Sequence, residues 1–360
     1  MGIASGAAIV DRLDPVDPAE RARLLASLDV DGAHAAAMAA LPSFQQIEIG
    51  GACGDGRSAD TTLEVVAWNL QRGTDLGAAV DIVQHRHPDV ILASELDVGM
   101  ARSGNRHTAA ELADRLGHTY AFAVEFLELG LGDAAEATRL GAHATNEVGF
   151  HGNAITARSP LRDPILIRIE DGGSWFNLAT DEPRVGGRMA LAAQVELGGR
   201  PVVVCSLHLE SESDPSLRAE QLGAVLEAID AHYGRVASIV GGDLNTFSAG
   251  LDDVRTRFRA LRDEDPRRFC WPVPYEPLFD IAVSHGFDVD GPNEAEQTMR
   301  LAADQRAGSL LRLDWLLVRD LDVTDRSTIP AIGPEQMVIS DHDAVAATLR
   351  YPTGSSILLA

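Results

Sequence analysis

The chain has 360 residues, 45% of them hydrophobic, which is enough for a sizeable core and excludes global disorder. All 30 basic residues are arginine and they face 54 carboxylates, giving a net charge of −24 that repels phosphodiester backbones at long range. Three cysteines, Cys53, Cys205 and Cys270, show no metal-binding spacing and leave one thiol unpaired under any disulfide scheme.

The first 60 residues read as a helical extension and linker. Asp17-Pro18-Ala19-Glu20 caps a helix that continues through Leu28, Asp31 to Leu41 is a second, Ala-rich helix, and Gly50 to Gly56 is a flexible joint. From Thr61 strands alternate with helices. Leu76–His85, Thr108–Leu116 and Pro215–His232 are amphipathic helices. Strands are expected at Ala154–Thr156, Ala190–Leu197, Val202–Leu207, Ser238–Gly241, Leu313–Val318 and Ala344–Leu349. Gly198-Gly199-Arg200 makes a hairpin of the pair around it. Hairpins mixed with strand–helix crossovers predict α+β packing, sheet against sheet with helices outside, over residues 61–350, and a short tail over 351–360. Leu129–Glu147 and Asp171–Gly187 are expected as mobile insertions. No secretory leader or membrane-spanning run is visible, so a cytoplasmic protein without stable membrane insertion is expected.

Short polar clusters stand just after the apolar runs: Asn69, Glu95, His208, Asp243-Leu244-Asn245, Asp314 and Asp341-His342. Polar groups at strand ends can gather at one mouth of a sheet core. Asn69 and Glu95 offer hard oxygen ligands suited to Mg²⁺ or Mn²⁺. Asp243 can orient or deprotonate a water, and Asn245 can donate to an oxyanion or ligate metal. His208 ends a buried strand. Asp314 can orient the imidazole of His342, as acid–base apparatus requires. No serine-hydrolase elbow, phosphate-binding Walker loop or zincin motif is present.

The ordered set Trp68-Asn69, Ser94-Glu95, Gly152-Asn153-Ala154-Ile155, Ser206-Leu207-His208-Leu209, Gly241-Gly242-Asp243-Leu244-Asn245, Leu313-Asp314-Trp315 and Ser340-Asp341-His342 resembles the endonuclease/exonuclease/phosphatase superfamily over residues 61–350. That resemblance implies a four-layer α/β sandwich, two mixed sheets flanked by helices, that cleaves phosphoesters with Mg²⁺ or Mn²⁺. It implies Glu95 as the main metal ligand helped by Asn69 and Asp341, and Asp243 activating the attacking water. Asn245 would hold the phosphate, His208 and His342 would contact phosphoryl oxygens, and Asp314 would fix the His342 tautomer. His151 and Asn153 become substrate-binding candidates, and Arg188 a clamp on a substrate anion. Gln71 stands where some nucleases of the family carry an acid.

These readings favour a metal-dependent phosphohydrolase acting on a small or lipid phosphoester. The alternatives are a nuclease and a non-catalytic binding protein that keeps the fold. The absence of lysine and of a basic stripe argues against nucleic acid as the partner. The arginines from Arg255 to Arg268 are expected as a salt-bridged helix face. Trp175, Phe176, Trp271 and Tyr275 are candidates for an apolar substrate wall. The N-terminal helices can support a homo-oligomer.

Overall fold

The structure is a computed structural model that describes residues 2–3, 6–52, 61–170, 172–177, 179, 182–300 and 311–353. The expected joint at Cys53–Gly56, Asp171 and most of the C-terminal tail lie outside these residues. The chain opens with strands β1 (Gly2–Ile3) and β2 (Ala8–Val10), helices α1 (Pro18–Leu25) and α2 (Ala33–Ala40), and β3 (Gln46–Gly51). Next come β4 (Leu63–Arg72), α3 (Leu76–Val83), β5 (Val90–Val98), α4 (Thr108–Leu116), β6 (Thr119–Glu128) and α5 (Ala134–Leu140). Strands β7 (Phe150–Ala157), β8 (Arg162–Arg168), β9 (Arg184–Gly186), β10 (Met189–Leu197) and β11 (Arg200–His208) follow. The rest is α6 (Pro215–Tyr233), β12 (Ser238–Asp243), α7 (Leu251–Glu264), α8 (Leu278–Ser284), β13 (Asp314–Arg319), β14 (Asp322–Ile329) and β15 (Ala344–Arg350).

The strands form a six-stranded sheet, β1-β8-β10-β11-β12-β13, and a nine-stranded sheet, β14-β15-β4-β5-β7-β6-β3-β2, with β9 paired to β6. Alternation decides the layers, because successive side chains on a strand point to opposite faces. Val65, Ala67, Val90 and Leu92 of one sheet meet Leu191, Val204, Ile239 and Leu316 of the other in a buried seam. Their alternates Val66, Trp68, Ile91 and Ala93 face α1 to α4, and Val203, Cys205, Val240 and Leu317 face α6 and α8. Helix α6 forms because Asp214 accepts a hydrogen bond from the Leu217 amide, Pro215 occupies the first turn and Gly234 closes the far end. It buries Leu222, Val225, Leu226 and Ile229, each such side chain contributing about 1.5–3 kcal/mol. The result is the expected four-layer α/β sandwich.

The N-terminal segment differs from its expectation as a helical extension. Both helices are present, but β3 pairs with β6 and β2 with β3, while β1 pairs with β8. Residues 2–51 therefore supply edge strands to both sheets, and Leu24, Ala37 and Phe44 are buried against the larger one. Ile47-Glu48-Ile49 carries the period-two signal, but the flanking glycines masked so short a strand. The insertion Leu129–Glu147 likewise contains α5, whose capping box pairs Asp133 with Glu136.

Strand register brings the chemistry together. His208 on β11 lies level with Asp243 on β12, and Asp243 with Asp314 on β13, so three adjacent strands present these residues in a row. Gly242 makes this possible: its φ is +142°, and a Cβ there would sit 1.9 Å from the Leu207 carbonyl oxygen. In the facing sheet, pairing breaks between Asn69 and Arg72 on β4 and between Ala93 and Leu96 on β5. Glu95 (φ +56°), Gln71 (+44°) and Arg72 (+72°) adopt left-handed backbone conformations there, and such bulges re-aim side chains.

Candidate active site

Both sheets end at one cleft of about 630 Å³. Its floor is Glu95, His151, His208, Asp243, Asn245, Asp341 and His342. Asp243 is the hub. Its Oδ1 accepts from the Asn245 amide at 2.9 Å and its Oδ2 from Asn69 Nδ2 at 3.1 Å. The Nε2 atoms of His208 and His342 each lie 3.6 Å from that same Oδ2. Burial raises the Asp243 carboxyl to about 7, with Asp314 adding to the rise and His342 opposing it. A carboxyl poised there is matched to taking a proton from water near neutral pH.

The two histidines are held differently. His342 Nδ1 donates to Asp314 Oδ2 at 2.8 Å, and Thr298 Oγ1 donates to the same oxygen at 2.7 Å. Burial alone would lower the imidazole pKa, but Asp314 and Asp243 outweigh it and hold His342 well above the usual range. The turn carrying it is pinned by Trp68 Nε1 to the His342 carbonyl at 2.8 Å and by Ser340 Oγ to the Asn69 carbonyl at 2.7 Å. His208 Nδ1 instead meets Arg188 Nη1 at 3.0 Å. A guanidinium only donates, so Nδ1 is the acceptor and the ring proton of His208 is on Nε2, facing the cleft. Burial first and the Arg188 charge second keep His208 well below the usual imidazole range.

Several solved structures are similar to this one in fold. An endonuclease/exonuclease/phosphatase from Beutenbergia cavernae DSM 12333 is 20% identical, covering 81% of this chain and 72% of its own, with a TM-score of 0.54. The human Nocturnin catalytic domain with bound sulfate anion is 17% identical over 86% of this chain and 98% of its own, TM-score 0.52. An endonuclease/exonuclease/phosphatase from Bacteroides vulgatus is 14% identical over 81% of this chain and all of its own, TM-score 0.50. The chain has the endonuclease/exonuclease/phosphatase fold. No sequence-family model matches it, and no curated protein matches it in sequence.

Within that fold the oxygen donors expected for a divalent cation converge, with one difference. Asn69 turns its amide nitrogen toward Glu95 Oε1 (3.1 Å) and Asp243, while its oxygen accepts from the Gln71 amide. In this arrangement Asn69 bridges two carboxylates and does not offer them an oxygen-lined cavity. Among the described residues no side-chain donor reaches the Asp341 carboxylate. Its pKa is raised by burial and by the nearby Glu95 charge, with His342 and Arg72 opposing. Two hard, crowded carboxylates at the cleft floor could hold a hard divalent cation. Asp243, Asp314 and His342 also present ligand atoms within 4.8 Å of one another. Asp314 Oδ2 accepts from His342 Nδ1 and from Thr298 while its Oδ1 has no hydrogen-bond partner among the described residues, and we assign the trio to proton handling on the 2.8 Å His342–Asp314 pair.

The remaining expectations divide. His151 lines the floor but is buried, with Nδ1 donating to Asp97 at 2.8 Å. Asn153 does not line the cleft; it is buried and donates to the Met189 carbonyl at 3.2 Å. Arg188 lines it, with Nε paired to Glu210 (3.3 Å) and Nη1 to Glu125 (2.9 Å) and His208 (3.0 Å). Gln71 accepts from the Asp341 amide at 3.1 Å and so helps place the carboxylate beside it. Of the four aromatic residues expected as a wall, Trp175 lines the cleft. Phe176 is buried against His34, Trp271 packs on Trp315, and Tyr275 lies under Arg268.

An ionic web behind the floor went unnoticed in the sequence. Arg72 bonds Glu95 (3.1 Å) and Glu182 (3.0 Å), and Arg102, fully buried, bonds Asp97, Glu128, Glu136 and Glu182. Arg184 sits between the rings of Phe126 and Trp175, 4.0 and 4.1 Å from their centroids. Charges buried this deeply persist only when paired, and removing one partner costs about 3–5 kcal/mol. The web fastens both insertions, through Glu136 and Glu182, to the strand end that carries Glu95. No local motif signals it, because Arg72 and Glu182 stand 110 positions apart.

Proposed function

We propose that the protein is a divalent-metal-dependent phosphohydrolase that cleaves a small or amphiphilic phosphoester by attack of water. The observation that carries this reading is the convergence of Glu95 and Asp341 beside an Asp243 carboxyl poised near 7 and flanked by two histidines at equal distance. Mg²⁺ or Mn²⁺ at Glu95 and Asp341 would polarise a phosphoryl oxygen and offset charge developing in the transition state. Asp243 takes a proton from the attacking water. Asn245 has one amide hydrogen committed to the Leu209 carbonyl at 2.8 Å, and directs its other toward a phosphoryl oxygen. Nε2–H of His208 and of His342 donate to the remaining oxygens, where charge builds. The water oxygen bonds to phosphorus, the ester P–O bond breaks, and the leaving oxygen takes the Nε2 proton of the His342 imidazolium that Asp314 supports.

Nucleic acid is the less favoured substrate. Several arginines of α7 and the segment after it are paired: Arg255 with Glu212 at 3.2 Å, Arg257 with Asp253 at 3.4 Å and Arg268 with Glu264 at 3.6 Å. Binding several backbone phosphates at once needs clustered free cations. Among the described residues no helix is long and apolar enough to cross a membrane.

The test is a cleavage screen over phosphomonoesters, phosphodiesters, phospholipids and nucleic acids with Mn²⁺. Turnover of a small phosphoester should vanish after dialysis against EDTA and return with Mg²⁺ or Mn²⁺, and Glu95→Gln should raise the metal concentration required. Full activity after that dialysis removes the mechanism. Digestion of plasmid or RNA at physiological salt, with no turnover of any small phosphoester, replaces it with the nuclease.

A further inference from the structure

The cleft is chemically lopsided. One wall carries Arg72, Glu182, Arg184 and Arg188. The other is made mainly of Leu251, Val254 and Phe258 on α7 with Met299, Leu311 and Leu313; Arg255 on the same helix also lines the cleft, ion-paired with Glu212 at 3.2 Å. The apolar residues belong to a satellite cluster outside the three main cores, so they do not serve the sheet packing. Val254, Leu311 and Leu313 are buried, while Leu251, Phe258 and Met299 keep part of their surface open to the cleft. Phe258 already stacks on Phe269 at 4.6 Å, which fixes the ring against the wall. The outer face of α7 is polar and salt-bridged, so the apolar residues lie on the side toward the catalytic floor.

We propose that this wall binds the apolar alcohol portion of the phosphoester, making the substrate a free amphiphile with an aliphatic leaving group. The inference rests on the phosphohydrolase reading above. A volume near 630 Å³ accommodates an organic group beyond a phosphate and a cation. Leu313 immediately precedes Asp314, and Phe247 lies two residues beyond Asn245, so the wall is continuous with the catalytic row. A phosphoryl group held at Asn245 and His342 therefore has its ester oxygen at the foot of the apolar wall. A nucleobase would want edge partners, and the apolar residues of this wall offer none, while Arg255 and Glu212 beside them are paired with each other. The large exposed apolar side chains of the described residues, Ile9, Leu25, Val30, Val283 and Met337, are not cleft residues, so among the described residues no such side chain forms a collar at the rim for entering a bilayer. Hydrolysis releases the alcohol with its oxygen protonated and leaves the new P–OH bond on the phosphate side.

The test compares monoalkyl and methyl alkyl phosphates with methyl, butyl and octyl chains, kept below micelle formation, using the full chain with Mn²⁺. Each fully buried methylene is worth about fourfold in binding, and a partly open wall should still raise kcat/KM at least about tenfold from methyl to octyl. Leu251→Glu should flatten that ratio, and Leu251→Met should keep it, with circular dichroism confirming that both variants fold. A flat ratio in the wild type, with short esters turned over, overturns the wall assignment and leaves the phosphohydrolase reading standing. If no ester is turned over, calorimetry with octylphosphonate against methylphosphonate decides: tighter octyl binding that Leu251→Glu abolishes supports the wall, and equal binding overturns it. Cleavage of phosphatidylcholine vesicles without cleavage of any octyl ester overturns the free-amphiphile source.

Discussion

His208 and His342 occupy equivalent stations and opposite environments. Each presents Nε2 at 3.6 Å from the same oxygen of Asp243. Behind His342 stands Asp314, which accepts a hydrogen bond from Nδ1–H and favours the charged ring. Behind His208 stands Arg188, which donates a hydrogen bond to Nδ1 and disfavours the charged ring. Distance to the reacting centre therefore does not fix what a histidine does; the group on its far nitrogen does. One side of the site delivers an imidazolium. The other delivers a neutral ring that can donate but holds no spare proton.

The difference is tested most severely by deletion. His342→Ala and Asp243→Asn should each lower kcat by about two orders of magnitude or more, the range for losing a positioned acid–base group. His208→Ala should fall short of that, because a neutral donor is lost and no acid. Steady-state rates at saturating metal settle the order. Equal losses for the two histidines would mean that their surroundings do not divide their roles.

The catalytic half of this comparison could be read along the chain, and the other half could not. His208 and Asp243 follow buried, largely β-branched runs and Asp314 stands at the start of another apolar run, so the sequence already places each at a strand end. The neighbour Asp314 offers His342 was expected because one motif precedes the other. Arg188 was noticed, yet its partners Glu125 and Glu210 lie on other elements, and no spacing rule links residues 63 positions apart. Strand β6, which carries Glu125, was missed because it is buried on both faces and shows no alternation. Strand β14 was missed for the opposite reason: it is an exposed edge rich in charge. The apolar wall was expected from aromatic loops and arises from α7 and the approach to β13.

Asp314→Asn probes the His342 side more gently. The amide keeps the shape of the carboxylate but not its charge, so the rate should fall about tenfold and not a hundredfold. The pH dependence should also move. Asp314 is the foremost group raising the His342 pKa, so its loss lets the ring deprotonate at lower pH. In the proposed mechanism the imidazolium is the active form, so the alkaline limb of kcat should shift to lower pH. A rate and profile identical to wild type would remove the pairing from the mechanism.

The smallest effect belongs to Arg188→Gln, and it is the most specific. Glutamine can still donate to His208 Nδ1 through its amide, so the Nε2–H tautomer should survive and kcat should fall only several-fold. The positive charge is gone, however, and with it a contribution that keeps His208 uncharged, so the His208 pKa should rise. Nitrogen-15 NMR of the imidazoles, recorded without metal or substrate, reads both properties. The wild type should show an unprotonated Nδ1 and a protonated Nε2, and the variant the same pattern with a titration moved toward neutrality. Arg188→Met removes the donor as well, so its His208 should populate both tautomers. A wild-type His208 carrying its proton on Nδ1 would mean that the ring is held by Glu125, 3.9 Å away, and that the two histidines are alike after all.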